Sequence, residues 1–141
     1  MKPLPLLIAL ASAPVSAAAG NFCERIPIDP ELPAGLSGTY EVVGQDSLTD
    51  KAYTATLVLG YGDNAYTLTR TTHGSTVHGE AWLERCGTDK MQILVAQYDT
   101  EPRTELNCTL NADAGNYYRA TCKTRQGSHG EHGLEAWFQQ P

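Results

Sequence analysis

Beyond its first nineteen residues the sequence lacks any sustained helical period, which argues against an α or α/β fold. It has no apolar run long enough to cross a bilayer as a helix, so no membrane span is expected. Basic residues are scarce, ten against sixteen acidic, for a formal charge of −6. Such a surface repels the phosphates of nucleic acid and of anionic membranes, and it suits a cationic partner. No two of the four cysteines, Cys23, Cys86, Cys108 and Cys122, stand close together, so the spacing of a zinc site is missing. The strand-turn-helix serine elbow is missing too, and the neighbours Ser128 and His129 do not make a nucleophile and base pair. No catalytic residue and no cofactor are therefore assigned, and the chain is read as a non-enzyme.

What is present begins with Lys2, an apolar run through Leu4, Leu6, Leu7, Ile8 and Leu10, and the small-residue stretch "PVSAAAG". That layout is expected to be a cleaved secretory signal over residues 1–19, followed by an extended segment over 20–37 and one domain over 38–141. A secreted or periplasmic location follows, and in an oxidising compartment four cysteines read as two disulfides.

Gly-, Asp- and Asn-rich punctuation recurs every ten residues or so, as in "GDN", "HGST", "CGTD" and "DTEPR", between runs rich in Thr, Tyr, Val, Leu and Ile. These runs predict eight strands, near Gly38–Gly44, Ala52–Tyr61, Ala65–Thr72, Val77–Arg85, Met91–Tyr98, Thr104–Leu110, Tyr117–Thr124 and Gly133–Gln139. Short connections make a meander antiparallel, and closure removes the exposed edges of an open sheet. The fold class is all-β: an eight-stranded antiparallel up-and-down β-barrel, with a β-sandwich as the alternative. In a meander the start of the first strand and the loop after the fourth share one end, which brings Cys23 to Cys86. Cys108 then faces Cys122 across a hairpin centred on Gly115.

Side-chain alternation predicts an interior built from Leu57, Leu59, Tyr61, Tyr66, Leu68 and Arg70, then Ala81, Leu83, Ile93 and Val95, and from Leu106, Leu110, Tyr118, Ala120, Leu134, Ala136 and Phe138. The bulky members gather at the end holding the termini, whereas Gly44, Arg70, Gly79, Gln97, Thr104 and Thr124 gather at the other. The barrel is expected to be plugged below and roomier above. In "LSGTY", Leu36 to Tyr40, the run Gly38-Thr39-Tyr40 is similar to the Gly-x-Trp that opens the first lipocalin strand, and with the eight-strand meander the chain resembles the lipocalin and avidin barrels, the calycins. The resemblance implies a secreted binding protein whose ligand enters opposite the termini.

Two stretches nearly repeat: "HGEAWLE", His78 to Glu84, and "HGLEAWF", His132 to Phe138, with Leu134 inserted in the second. The alternation points Glu80 and Trp82, and likewise Glu135 and Trp137, outward. With Asp99 and Glu101 the two tryptophans form the candidate partner surface. The rim also carries His73, His78, His129 and His132, candidate ligands for a metal whose competing reading is solvated turn histidines. Arg70, expected inside near the mouth, needs a carboxylate or an acidic ligand to offset burial of its charge. Arg70, Tyr53, Gln97 and Thr124 are the candidate ligand residues. The function expected is that of a binding protein holding a small ligand, an anionic one being the case Arg70 suits. The alternative is an inhibitor or immunity-type protein whose acidic loops dock a cationic hydrolase. Partners are thus a small molecule or a cationic protein, with an oligomer left open.

Overall fold

The structure, a computed structural model, describes residues 22–29, 35–113, 115, 117–128 and 132–141. The expected leader and His129 lie outside the described residues. Among those described the chain is all-β, with β1 at Cys23–Ile26, β2 at Gly38–Gln45, β3 at Ala52–Tyr61, β4 at Tyr66–Thr72, β5 at Ser75–Cys86, β6 at Met91–Tyr98, β7 at Thr104–Ala112, β8 at Tyr118–Gln126 and β9 at His132–Gln139. β2 to β9 pair each with the next, all antiparallel, and β9 returns to β2, so eight strands close a barrel. The predicted strands agree with these to within two residues.

The ninth strand, β1, was not read from the sequence. It pairs with β5 from Cys23 opposite Cys86 to Ile26 opposite Leu83, beyond the point where β4 stops pairing at Ala81. β1 thus continues the line of β4 along one edge of β5. Ile26 and Ile28 pack against the core from there, and Leu36, 1% exposed, closes the same end. Both predicted disulfides are present, Cys23–Cys86 on the wall and Cys108–Cys122 inside the barrel. They span 63 and 14 residues, and loop-closure entropy gives them about 4 and about 3 kcal/mol respectively.

Most of the interior is apolar. Leu57, Leu59, Leu68, Ala81 and Leu106 are buried, while Thr54, Thr56, Thr67, Lys123 and Arg125 alternate with the buried positions on the outer wall. That polarity is the reverse of a lipid-facing barrel wall. Among the described residues no helix is long and apolar enough to cross a membrane.

Two strands take the opposite face from the one expected. On β6, Leu94, Ala96 and Tyr98 point in, and Ile93 and Val95 do not, because Leu94 opposes Leu83 and Cys108 while Ala96 opposes Ala81 and Leu106. On β9, Gly133, Glu135 and Trp137 point in, leaving Leu134 48% exposed. Tyr61, expected inside, is 45% exposed at the foot of the β3–β4 hairpin.

The near-repeat resolves here. In both copies the histidine is exposed and the following glycine faces inward where a neighbouring backbone crosses closely. A Cβ on Gly79 would lie 1.9 Å from the Gln97 carbonyl oxygen, and one on Gly133 would lie 2.6 Å from that of Gln45. After the glycine the copies diverge in phase, because Leu134 shifts the second by one residue. Trp82 therefore lies on the outer face and Trp137 is buried. Gly79→Ala should cost about 1–3 kcal/mol, since backbone has to move, whereas the exposed His78→Ala should stay within about 0.5 kcal/mol of the parent in a urea titration. Equal midpoints for the two variants would contradict the close crossing.

Candidate functional site

The end of the barrel away from Leu36 opens into a cavity of about 440 Å³. Its floor is made by four strands whose inward phases meet: Tyr53 from β3, Arg70 from β4, Thr124 from β8 and Glu135 from β9. Thr72 and Val77 stand above the floor on β4 and β5, and the loop after β2 supplies Asp46 and Ser47 to the rim.

Glu135 organises this floor. Its side chain is fully buried, and a bare carboxylate there would be costly. Instead Oε1 accepts from the Tyr53 hydroxyl at 2.5 Å and from Arg70 Nη1 at 2.6 Å. Oε2 accepts from the Tyr98 hydroxyl at 3.1 Å and from Trp137 Nε1 at 2.8 Å. Four donors fill the acceptor positions of one carboxylate, and one donor is a cation. The Arg70 guanidinium lies over two rings, 4.3 Å from the Tyr98 centroid and 5.7 Å from that of Tyr53, with 17% of the side chain exposed.

Titration follows from these contacts. Burial, then the charge of Glu135, pushes the Tyr53 and Tyr98 phenols up. For Arg70 burial acts to lower the pKa, but the Glu135 carboxylate and the two phenols outweigh it and the net direction is up. Asp46 is held below the usual carboxylate range, chiefly by the backbone N–H of Thr49, to which its Oδ1 is bonded at 2.8 Å.

Of the candidate ligand residues, Arg70, Tyr53 and Thr124 line the cavity and Gln97 does not. Gln97 lies on the outer phase of β6, where Arg103 Nη1 donates to its Oε1 at 3.3 Å. The sequence reading missed Glu135 and Tyr98, because both sit on the strands whose face it inverted. The signal that could have found Glu135 was Arg70 itself, which required an anion inside.

The candidate partner residues do not form one surface. Trp137 is 1% exposed, and Tyr40 packs edge-on against it at 6.2 Å. This corrects the outward orientation expected for Glu135 and Trp137. Trp82 lies outside, but Arg25 of β1 stacks over it at 4.7 Å while its Nε1 donates to Glu84 at 2.7 Å. Asp99 and Glu101 are exposed at the open end, and Asp99 pairs with Arg103 at 3.9 Å.

The three described histidines are exposed and separate in role. His73, with φ 43°, and Gly74, with φ 82°, form the two-residue turn between β4 and β5. His78 faces out opposite Thr69, and His132 opens β9. Among the described residues the three potential ligand atoms that lie within 4.8 Å of one another belong to Cys23, Glu84 and Cys86, two of them disulfide sulfurs. None is a histidine.

Set beside known proteins, the chain matches no family model, no curated protein and no solved structure with significant similarity.

Proposed function

We propose that the protein is a non-enzymatic binding protein that takes one small polar ligand into the open end of its barrel. The observation that carries this reading is the 440 Å³ opening above a floor whose side chains are already locked to one another through Glu135. The volume is within the range of small-molecule sites, and a floor fixed before binding spares the ligand the cost of ordering it. The calycin resemblance draws support from the closed barrel, although hydroxyl-bearing Thr72, Ser75, Thr104 and Thr124 around the cavity suit a polar ligand better than a lipid. The two disulfides are consistent with an oxidising environment, as a secreted or periplasmic carrier would require. The inhibitor reading has less to stand on, since Trp137 is inside, Trp82 lies beneath Arg25 and Asp99 is paired.

Native mass spectrometry of protein purified from its own host tests the reading. A bound small molecule should appear with the parent and be lost in Thr72→Trp, because Thr72 continues the inward phase of β4 one step above Arg70. A repeatedly empty parent, or an adduct that survives in Thr72→Trp, would remove the cavity from consideration.

A further inference from the structure

The floor of the cavity has an imbalance that bears on what it binds. Glu135 has both oxygens engaged, each by two donors, and retains no capacity to receive a hydrogen bond or a cation from a ligand. Arg70 is the opposite case. Of its five N–H groups one, on Nη1, donates to Glu135, and Nε is buried with no partner among the described residues. The Tyr53 hydroxyl is already donating to Glu135. The unused capacity of the charged groups at the base of the cavity is therefore donor capacity, and it belongs to a planar cation. Thr124 beside it and Thr72 and Ser75 above it carry hydroxyls that make no hydrogen bond to another described side chain, and Lys51 at the rim has no ion pair among the described residues.

Resting on the reading of this cavity as a ligand site, we propose that its ligand is a small hydroxylated carboxylic acid whose carboxylate docks on the part of the Arg70 guanidinium that faces the cavity. A carboxylate matches a guanidinium fork to fork, and charge-assisted bonds of this kind are about twice as strong as neutral ones. Glu135 does not forbid a second anion. It holds Nη1, so an oxyanion bonded elsewhere on the guanidinium lies nearer to that cation than to Glu135, and attraction outweighs repulsion. When Arg70 leans towards the ligand, Tyr53, Tyr98 and Trp137 continue to bond Glu135. An amine would find no free carboxylate at the floor, and a lipid chain would face hydroxyls.

The probes are gluconate, which has both the carboxylate and the hydroxyls, glucose, which has the hydroxyls alone, and acetate, which has the carboxylate alone. Each is titrated into the full chain by NMR up to about 50 mM, which populates even a site of millimolar affinity. Trp137 fluorescence in a Trp82→Phe background provides a second readout, because its indole bonds the same carboxylate as Arg70. Gluconate should move the Thr72 and Thr124 resonances with an affinity at least about tenfold above that of glucose and of acetate. Arg70→Lys, which keeps the charge beside Glu135 and loses the fork, should erase the preference over glucose while the fold is retained. Glucose binding the cavity as well as gluconate would overturn the acid class and leave the cavity as a ligand site. No movement of cavity resonances with any probe would overturn both.

Discussion

Replacing Glu135 with leucine should lower the free energy of unfolding by about 3–5 kcal/mol, among the largest effects of any single substitution in this chain. The substitution leaves the Arg70 charge without its partner and removes the acceptor for the Tyr53 and Tyr98 hydroxyls and the Trp137 indole. Each group left unpaired retains the desolvation penalty that its hydrogen bond had offset. Arg70→Met should cost less. The Arg70 side chain is 17% exposed and partly solvated, and Glu135 would still have three neutral donors. The double replacement Glu135→Leu with Arg70→Met should recover a substantial part of the loss from Glu135→Leu, because an apolar pair of similar bulk can match a buried ion pair. Urea titrations of the parent, both single variants and the double variant close a thermodynamic cycle. A coupling energy near zero, with Glu135→Leu costing under about 1 kcal/mol, would mean that the floor is not held by this carboxylate.

The strands were legible because the turn chemistry between them is strong. "HGST" encodes a two-residue turn with two positive φ angles, and the one-to-one alternation of Thr with apolar residues along β3 and β4 fixes which face turns in. β6 was not legible. In "QILVAQ" apolar residues occupy both faces, so periodicity cannot choose between Ile93 with Val95 and Leu94 with Ala96. The choice is made by tertiary contact: Cys108 is tied to Cys122 inside, and its cross-strand partner Leu94 is drawn in with it. β1 escaped because four residues, "CERI", with two charges carry no strand pattern of their own. They are held as a strand by β5 and by the sulfur bridge at Cys23.

The site was half legible for a related reason. On β9 the set Leu134, Ala136 and Phe138 is the more hydrophobic face, and a reading by hydrophobicity alone turns it inward. The fold instead buries Trp137 against Tyr40 and seats Glu135 among four donors from β3, β4, β6 and its own strand. A buried carboxylate is unfavourable in isolation and favourable only when residues far apart in sequence converge, and one strand's composition does not record that convergence. Arg70 marked the need for an anion within, while the strand that meets it, 65 residues away, could be named only once the register was seen.

The same convergence makes the protein vulnerable to alkali. Tyr40 and Tyr98 are buried, at 2% and 0% exposure, and Tyr53 is bonded to Glu135. Burial pushes all three phenols well above the ordinary tyrosine range, and for Tyr53 and Tyr98 the neighbouring Glu135 charge adds to it. A phenol whose folded pKa is raised stabilises the fold fully below its unfolded pKa of about 10, and that stability is lost as pH rises towards the folded value. In that window the unfolded chain releases protons that the folded chain retains, so each such tyrosine removes about 1.4 kcal/mol per pH unit and three together about 4 kcal/mol per pH unit. A domain of ordinary stability, about 5–15 kcal/mol, should therefore unfold cooperatively within two or three units above pH 10. Circular dichroism and tyrosinate absorbance followed in one titration measure it. Part of the tyrosinate signal should appear only in step with loss of β structure, and Tyr98→Phe, which cannot ionise, should move the midpoint to higher pH relative to its own stability at pH 7. Smooth titration of every tyrosine near pH 10 with the barrel intact would contradict the buried phenol network and with it the locked floor beneath the cavity.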